Sequence, residues 1–174
     1  MYREPFAKLL DVIKVHKPQT YCEIGLHNGF TARQTCDELI KYNSKIYFEG
    51  YDAFETVDKK EANGKSQSSE NHYKQAIKRL ESVKRKSPDF TYKIYKGYTT
   101  ETLKPKKFDL VYIDGGHSYD TVLHDYNMVK DSKIILFDDY NYFGVANAVE
   151  EIGKGELFFD QPQNKNKKWI IFNI

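Results

Sequence analysis

F-D-L-V-Y-I-D-G-G-H-S-Y-D, running from Phe108 to Asp120, decides how this chain is read. Phe108 to Ile113 is nearly all apolar and stops abruptly at Asp114-Gly115-Gly116-His117. An apolar run this short, closed by glycine, suits a strand buried on both faces of a parallel sheet. The spacing of Val122, Leu123, Tyr126 and Val129 then predicts a helix, and Ile134 to Phe137 predicts another buried strand, ending at Asp138-Asp139.

The same alternation extends upstream. Thr20 to Gly25 and Lys45 to Gly50 read as strands, and Phe90 to Tyr95 as a third that ends at Gly97. Between them lie helical stripes. Phe6, Leu9, Leu10 and Ile13 form one, closed by Pro18; Ala32, Cys36, Leu39 and Ile40 form another, opened by Gly29 and Thr31; Tyr73, Ile77, Leu80 and Val83 form a third. Residues 56–70 are polar and read as a mobile loop. A short helix is expected around Val145 to Ile152. Leu157–Phe159 and Trp169–Phe172 complete the strands, with Gln161 to Lys168 as a hairpin loop. Strands alternating with helices predict an α/β fold with a parallel sheet, and 174 residues without an internal linker predict a single domain over 1–174.

Composition removes several function classes. A net charge of +2 excludes a strongly basic nucleic-acid binder, and the lysines and arginines of residues 74–86 read as a solvated helix face. No apolar run approaches the roughly 20 residues of a membrane helix, and charges break the first 17 residues, so no signal peptide is expected. Cys22 and Cys36 are expected as free thiols of a reducing cytoplasm. An aromatic content of 15% argues against disorder despite a mean hydropathy of -0.72.

The chemistry-bearing residues recur at one place, the C-terminal ends of the strands. Glu23, Gly25 and Gly29 follow the first strand, Asp52 the second, Gly97 the third, Asp114 the fourth, and Asp138 and Asp139 the fifth. Ligands of open α/β sheets bind outside those ends. Gly25 permits a tight turn, and Gly29 the close approach of a ligand or of the next helix. An acid at Asp52 can take both hydroxyls of a ribose or simply close a turn. The G-x-G-x-x-G dinucleotide fingerprint is not matched, which disfavours a nicotinamide oxidoreductase.

I-D-G-G-H-S-Y (113–119) and D-D-Y (138–140), with E-I-G-L-H-N-G-F-T (23–31) and Y-D-A-F (51–54), resemble the class I S-adenosylmethionine-dependent methyltransferases. The likeness is closest to a small subgroup marked by I-D-G-x-H-x-Y and covers about residues 20 to 150. It implies a Rossmann-like, mostly parallel seven-stranded sheet with an antiparallel last strand. It also implies S-adenosylmethionine as cofactor: Glu23, Gly25 and Gly29 at the methionine end, with Asp114 nearby, Asp52 on the ribose, and Tyr98 or Thr99 beside the adenine.

Three carboxylates, Asp114, Asp138 and Asp139, at neighbouring strand ends repel unless protonated or bound to a cation, and hard oxygen ligands suit Mg²⁺ or another divalent cation. The catechol-type O-methyltransferases are similar here, which implies a metal at these three residues and activity sensitive to EDTA. The alternative is that Asp114 and Asp138 cap helices or bind the cofactor's amino group. His117 lies three residues after Asp114, where the catechol-type enzymes carry a basic residue that deprotonates the acceptor hydroxyl. A histidine, titrating near about pH 6.5 when free, can act as such a base, and it can also merely hold the loop. The expected catalytic pair is thus His117 and Asp114.

The expected activity is methyl transfer to a hydroxyl of a small molecule or sugar. A metal-independent methyltransferase acting on another acceptor and a catalytically silent nucleotide-binding module are the alternatives. No specific nucleic acid and no membrane partner is expected, and a homodimer is allowed without being required. A DNA base methyltransferase is disfavoured because no N/D-P-P-Y/F motif follows the fourth strand.

Overall fold

The computed structural model describes residues 7–54, 69–159 and 167–173. Phe6, nearly all of the polar 56–70 stretch and most of the Gln161–Lys168 loop lie outside the described residues.

The strands are β1 (Thr20–Ile24), β2 (Ile46–Asp52), β3 (Phe90–Lys96), β4 (Leu110–Ile113), β5 (Ile134–Phe137), β6 (Glu156–Phe159) and β7 (Lys167–Phe172). The helices are α1 (Ala7–His16), α2 (Phe30–Leu39), α3 (Glu70–Lys86), α4 (Thr99–Thr102), α5 (Tyr119–Val129) and α6 (Phe143–Ile152). One seven-stranded sheet has the order β3-β2-β1-β4-β5-β7-β6. Strands β1 to β5 are parallel, and β7 runs antiparallel to both β5 and β6. This is the expected α/β architecture with an antiparallel last strand. The order adds what sequence adjacency hid: β7 inserts between β5 and β6.

Alternation along the strands feeds two cores. On β4, Leu110 and Tyr112 join one cluster with the apolar stripes of α1, α2 and α3, while Val111 and Ile113 join a second with α5 and α6. Strands β4 and β5 are buried throughout, as two-sided coverage requires. Each fully buried leucine, isoleucine or phenylalanine contributes roughly 1.5–3 kcal/mol. Cys22 and Cys36 are free and buried. No helix among the described residues is long and apolar enough to cross a membrane.

Local chemistry sets the helix starts. Ser118 caps α5 by accepting from the Thr121 N–H, and Ser69 caps α3 by accepting from the His72 N–H. Residues Ser69 and Glu70 therefore belong to the cap and first turn of α3 rather than to the expected loop.

Candidate active site

The chain leaves β1 outward to β2 and β3, then returns to β4 and β5 on the other side of β1. The boundary between β1 and β4 is the switch point where open α/β sheets bind ligands. Glu23, Gly25, Asp52, Asp114, Asp138 and Asp139 all sit at this C-terminal edge or in the turns that follow it.

The turn after β1 is tied to both neighbours. Gly25 and Leu26 donate their N–H groups to the Tyr51 carbonyl at 2.9 and 3.2 Å, and the Asp114 N–H donates to the Ile24 carbonyl at 2.8 Å. Gly25 has φ +90°, and a Cβ there would lie 1.9 Å from the Asp114 carbonyl oxygen. Only glycine satisfies both conditions. Gly29, at φ +71°, caps α2, and a Cβ would meet the Ala76 Cα at 2.9 Å. Gly29 thus lets α3 approach closely.

Glu23 is 2% exposed and accepts from the Tyr21 hydroxyl at 2.5 Å. Burial pushes its carboxyl up to about 8, against the opposing pull of hydrogen bonds from Tyr21 and the Ala32 N–H. Between 4.5, its ordinary value, and about 8, the folded chain holds a proton that the unfolded chain releases. Stability from this residue is therefore full at the acid end and falls as pH rises through that window, by at most about 1.4 kcal/mol per pH unit. Glu23→Gln should flatten that slope, as urea denaturation of both proteins at each end of the window would measure. An unchanged slope would show that Glu23 is not the group responsible.

Asp52, the last residue of β2, does close a turn: its Oδ1 accepts from the Phe54 N–H at 3.0 Å. Its Oδ2 accepts from the His27 N–H at 2.7 Å. His27 stands in left-handed backbone (φ 47°), and its ring packs 4.0 Å from that of His72. Each Asp52 oxygen carries one such bond, so the carboxylate retains acceptor capacity for a diol. Tyr98 and Thr99 begin α4 after Gly97, whose N–H donates to the Asp52 carbonyl at 3.0 Å. Tyr98 is exposed.

On the other side of the switch point lies a polar network that spacing alone did not reveal. The ring nitrogen His117 Nε2 is 2.9 Å from Asp139 Oδ2, while His117 Nδ1 is buried with no hydrogen-bond partner among the described residues. The Tyr142 ring stacks on the His117 ring at 4.1 Å. Asp139 stands at φ 54°, and its N–H donates to Asp138 Oδ1 at 2.7 Å. Asp138 also accepts from the Tyr112 hydroxyl and forms an ion pair with Lys168. Lys168 is 2% exposed, and its Nζ donates to the Tyr112 hydroxyl at 3.1 Å. Withdrawal from water, then the charges of Asp138 and Asp139, push the Asp114 carboxyl well above its usual range, although the residue retains some exposure.

Sheet register explains how this network assembles. Tyr112 pairs with Leu136, and Phe137 with Trp169. Two residues beyond Leu136, Asp138 returns to the Tyr112 face, and one residue beyond Trp169, Lys168 comes to stand opposite it. Lys168 thus belongs to a strand and to the core, not to the hairpin loop expected over Gln161 to Lys168. Its signal was parity: Lys168 lies two residues before Ile170, which is fully buried on that same face.

The donor set also tests the expected divalent cation. Among the described residues, no group of three His, Cys, Asp or Glu side chains is placed to hold a metal ion. Asp138 is engaged by Lys168 and Tyr112, and Asp139 turns its carboxylate to His117. In this arrangement the carboxylates do not fit a metal.

A protein family described as a methyltransferase domain matches residues 22–140, well over half of the chain. The chain belongs to this family. This methyltransferase-family chain is also similar in fold to several solved structures. An O-methyltransferase from Bacillus cereus in complex with S-adenosylhomocysteine is 14% identical, with a TM-score of 0.70 over 99% of this chain and 82% of that one. A TDP-rhamnose 3'-O-methyltransferase of calicheamicin biosynthesis is 14% identical, with a TM-score of 0.66 over 99% and 81%. An O-methyltransferase of tomaymycin synthesis from Streptomyces achromogenes, in complex with S-adenosylmethionine, is 12% identical, with a TM-score of 0.61 over 95% and 78%. No curated protein sequence matches the chain.

Proposed function

We propose that this methyltransferase uses S-adenosylmethionine to methylate a hydroxyl of a small molecule, with a sugar hydroxyl as the first acceptor class to try. The observation that carries the reading is the His117–Asp139 pair beside the switch point, with one ring nitrogen held and the other without a partner among the described residues. Its support from comparison is the family match together with solved structures of similar fold whose enzymes act on oxygen, one of them on TDP-rhamnose.

The residues on the β1 and β2 side fit the cofactor. Asp52 has acceptor capacity for the two ribose hydroxyls, and the Gly25 turn brings the chain past Asp114 without a side chain in the way. At the start of α2 the Phe30 N–H donates to Asn28 Oδ1 and the Ala32 N–H to Glu23, so the helix end offers the cofactor's carboxylate mainly its partial positive charge. Glu23 and Asp114, each pushed toward its protonated form by burial, line the methionine end. Tyr98 and Thr99 border the adenine.

When bound, S-adenosylmethionine supplies an electrophilic methyl carbon, whose bond to sulfur breaks as its bond to the acceptor oxygen forms, leaving S-adenosylhomocysteine. His117 does the acid–base work. Asp139 accepts from Nε2–H, which fixes the tautomer and leaves a lone pair on Nδ1; that atom is covered in this structure, so taking the acceptor's hydroxyl proton requires the side chains over it to shift. Asp139 then stabilises the imidazolium that results. Tyr142, stacked on the ring, keeps it in plane and excludes water from one face.

A cation-assisted version has one observation in its favour: Asp114, Asp138 and Asp139 lie close enough to act on one another electrostatically. It requires Lys168 and His117 to give up their partners. The test of the function is transfer of labelled methyl from S-adenosylmethionine to a panel of nucleotide sugars and phenols. Labelled ether product on any of them supports the reading. Binding of S-adenosylhomocysteine with no transfer to any acceptor favours a silent nucleotide-binding module.

A further inference from the structure

A lysine ammonium buried to 2% exposure is unusual enough to need an account, because an unpaired charge so far from water would shed its proton instead. Lys168 is not unpaired. Its Nζ forms an ion pair with Asp138 Oδ1, donates to the Tyr112 hydroxyl at 3.1 Å, and sits 5.5 Å from the centre of that ring. Asp138 is in turn well occupied: Oδ1 takes Lys168 and the Asp139 N–H, and Oδ2 takes the Tyr112 hydroxyl.

We propose that Lys168 is a built-in cation, supplying from β7 the positive charge that the Asp114, Asp138 and Asp139 cluster would otherwise draw from a divalent metal. The inference rests on the methyl-transfer reading for its purpose, but its geometry stands apart from it. The charge count follows from position. Lys168 lies opposite Asp138 by strand register, so its ammonium enters the carboxylate cluster from the one neighbouring strand that runs antiparallel.

The effect passes to the proposed base through three short steps. Lys168 holds Asp138. Asp138 Oδ1 holds the Asp139 N–H at 2.7 Å, which fixes the left-handed turn at Asp139. That turn aims Asp139 Oδ2 at His117 Nε2, 2.9 Å away. Lys168 touches none of the reacting atoms on this account; it is a positioning residue. A divalent ion at the same carboxylates would compete with both Lys168 for Asp138 and His117 for Asp139.

The test is calorimetric titration of the full chain with Mn²⁺ and Mg²⁺, run on the wild type, Lys168→Met and Lys168→Arg. The wild type should take up neither ion stoichiometrically, and its affinity for S-adenosylhomocysteine should be the same with EDTA as with Mg²⁺. Lys168→Met keeps the apolar stem but frees Asp138, and should bind one divalent ion at least about tenfold more tightly than the wild type; a gain on that scale is the about 1.4 kcal/mol that a tenfold change represents. Lys168→Arg should restore the wild-type indifference. A purely structural lysine would change stability without creating a cation site.

One divalent ion bound by the wild type, or a Lys168→Met variant that is folded yet as indifferent to cations as the wild type, overturns the proposal. If Lys168→Met does not fold, the wild-type titration still decides. The cation titration needs no cofactor, so it judges Lys168 separately from the methyl-transfer reading, which fails on its own if the wild type does not bind S-adenosylhomocysteine.

Discussion

Replacing His117 with alanine is expected to lower methyl transfer by about 10²–10⁴-fold, the usual scale for removing a positioned general base. Binding of S-adenosylhomocysteine should hardly change, because His117 is not among the residues proposed to hold the cofactor. The deficit should shrink as pH rises, since the acceptor hydroxyl ionises without help in more alkaline solution. Asp139→Asn should lose part of the same rate, because an amide can present an N–H to Nε2 and so favour the wrong tautomer. The geometry behind this is specific: Nε2 is held at 2.9 Å by Asp139, Nδ1 has no partner among the described residues, and Tyr142 stacks on the ring. Full activity in His117→Ala, measured with labelled methyl donor, would show that the histidine only holds the loop.

The second large effect is on folding. Gly25→Ala places a Cβ 1.9 Å from the Asp114 carbonyl oxygen and 2.7 Å from the Gly115 nitrogen, at a φ of +90° that L side chains rarely adopt. Both obstacles are backbone, so no rotamer change relieves them. Strain of about 1–3 kcal/mol for the backbone and a similar amount for overpacking predict a loss of about 2–6 kcal/mol in urea denaturation. That is a large share of the 5–15 kcal/mol typical of a domain, so the variant should also express poorly. The turn links β1 to β4 directly beside the proposed cofactor site, so any folded fraction should bind S-adenosylhomocysteine weakly. A loss below about 1 kcal/mol would mean that the two backbones separate easily and that the turn does not set the site.

How far the sequence could be read depended on whether its signals were local. Apolar runs such as Ile134–Phe137 and stripes such as Val122, Leu123, Tyr126 and Val129 carry their own period, so strand and helix could be assigned without knowing their neighbours. The acids at the strand ends were also visible, because parallel strands bring their C-terminal ends to one edge. What escaped was non-local. Nothing in the run Gln161 to Lys168 announces that β7 pairs with β5 and carries a lysine to Asp138; that follows only from the sheet order and register. The repulsion among Asp114, Asp138 and Asp139 was foreseen and assigned to a metal, whereas the structure sets the Lys168 ammonium against Asp138 and gives Asp139 a hydrogen-bond partner in His117. The contact between the His27 and His72 rings likewise joins residues far apart in sequence.

The measurement closest to the central claim is a calorimetric titration of the chain with S-adenosylhomocysteine, run beside Asp52→Ala and beside a titration with NAD. One molecule should bind at micromolar concentration, and NAD should not compete. Asp52→Ala should weaken binding by about 1–3 kcal/mol, the cost of leaving the ribose hydroxyls without their acceptor. Tighter binding of NAD than of S-adenosylhomocysteine, or an Asp52→Ala variant that binds as well as the wild type, would contradict the account.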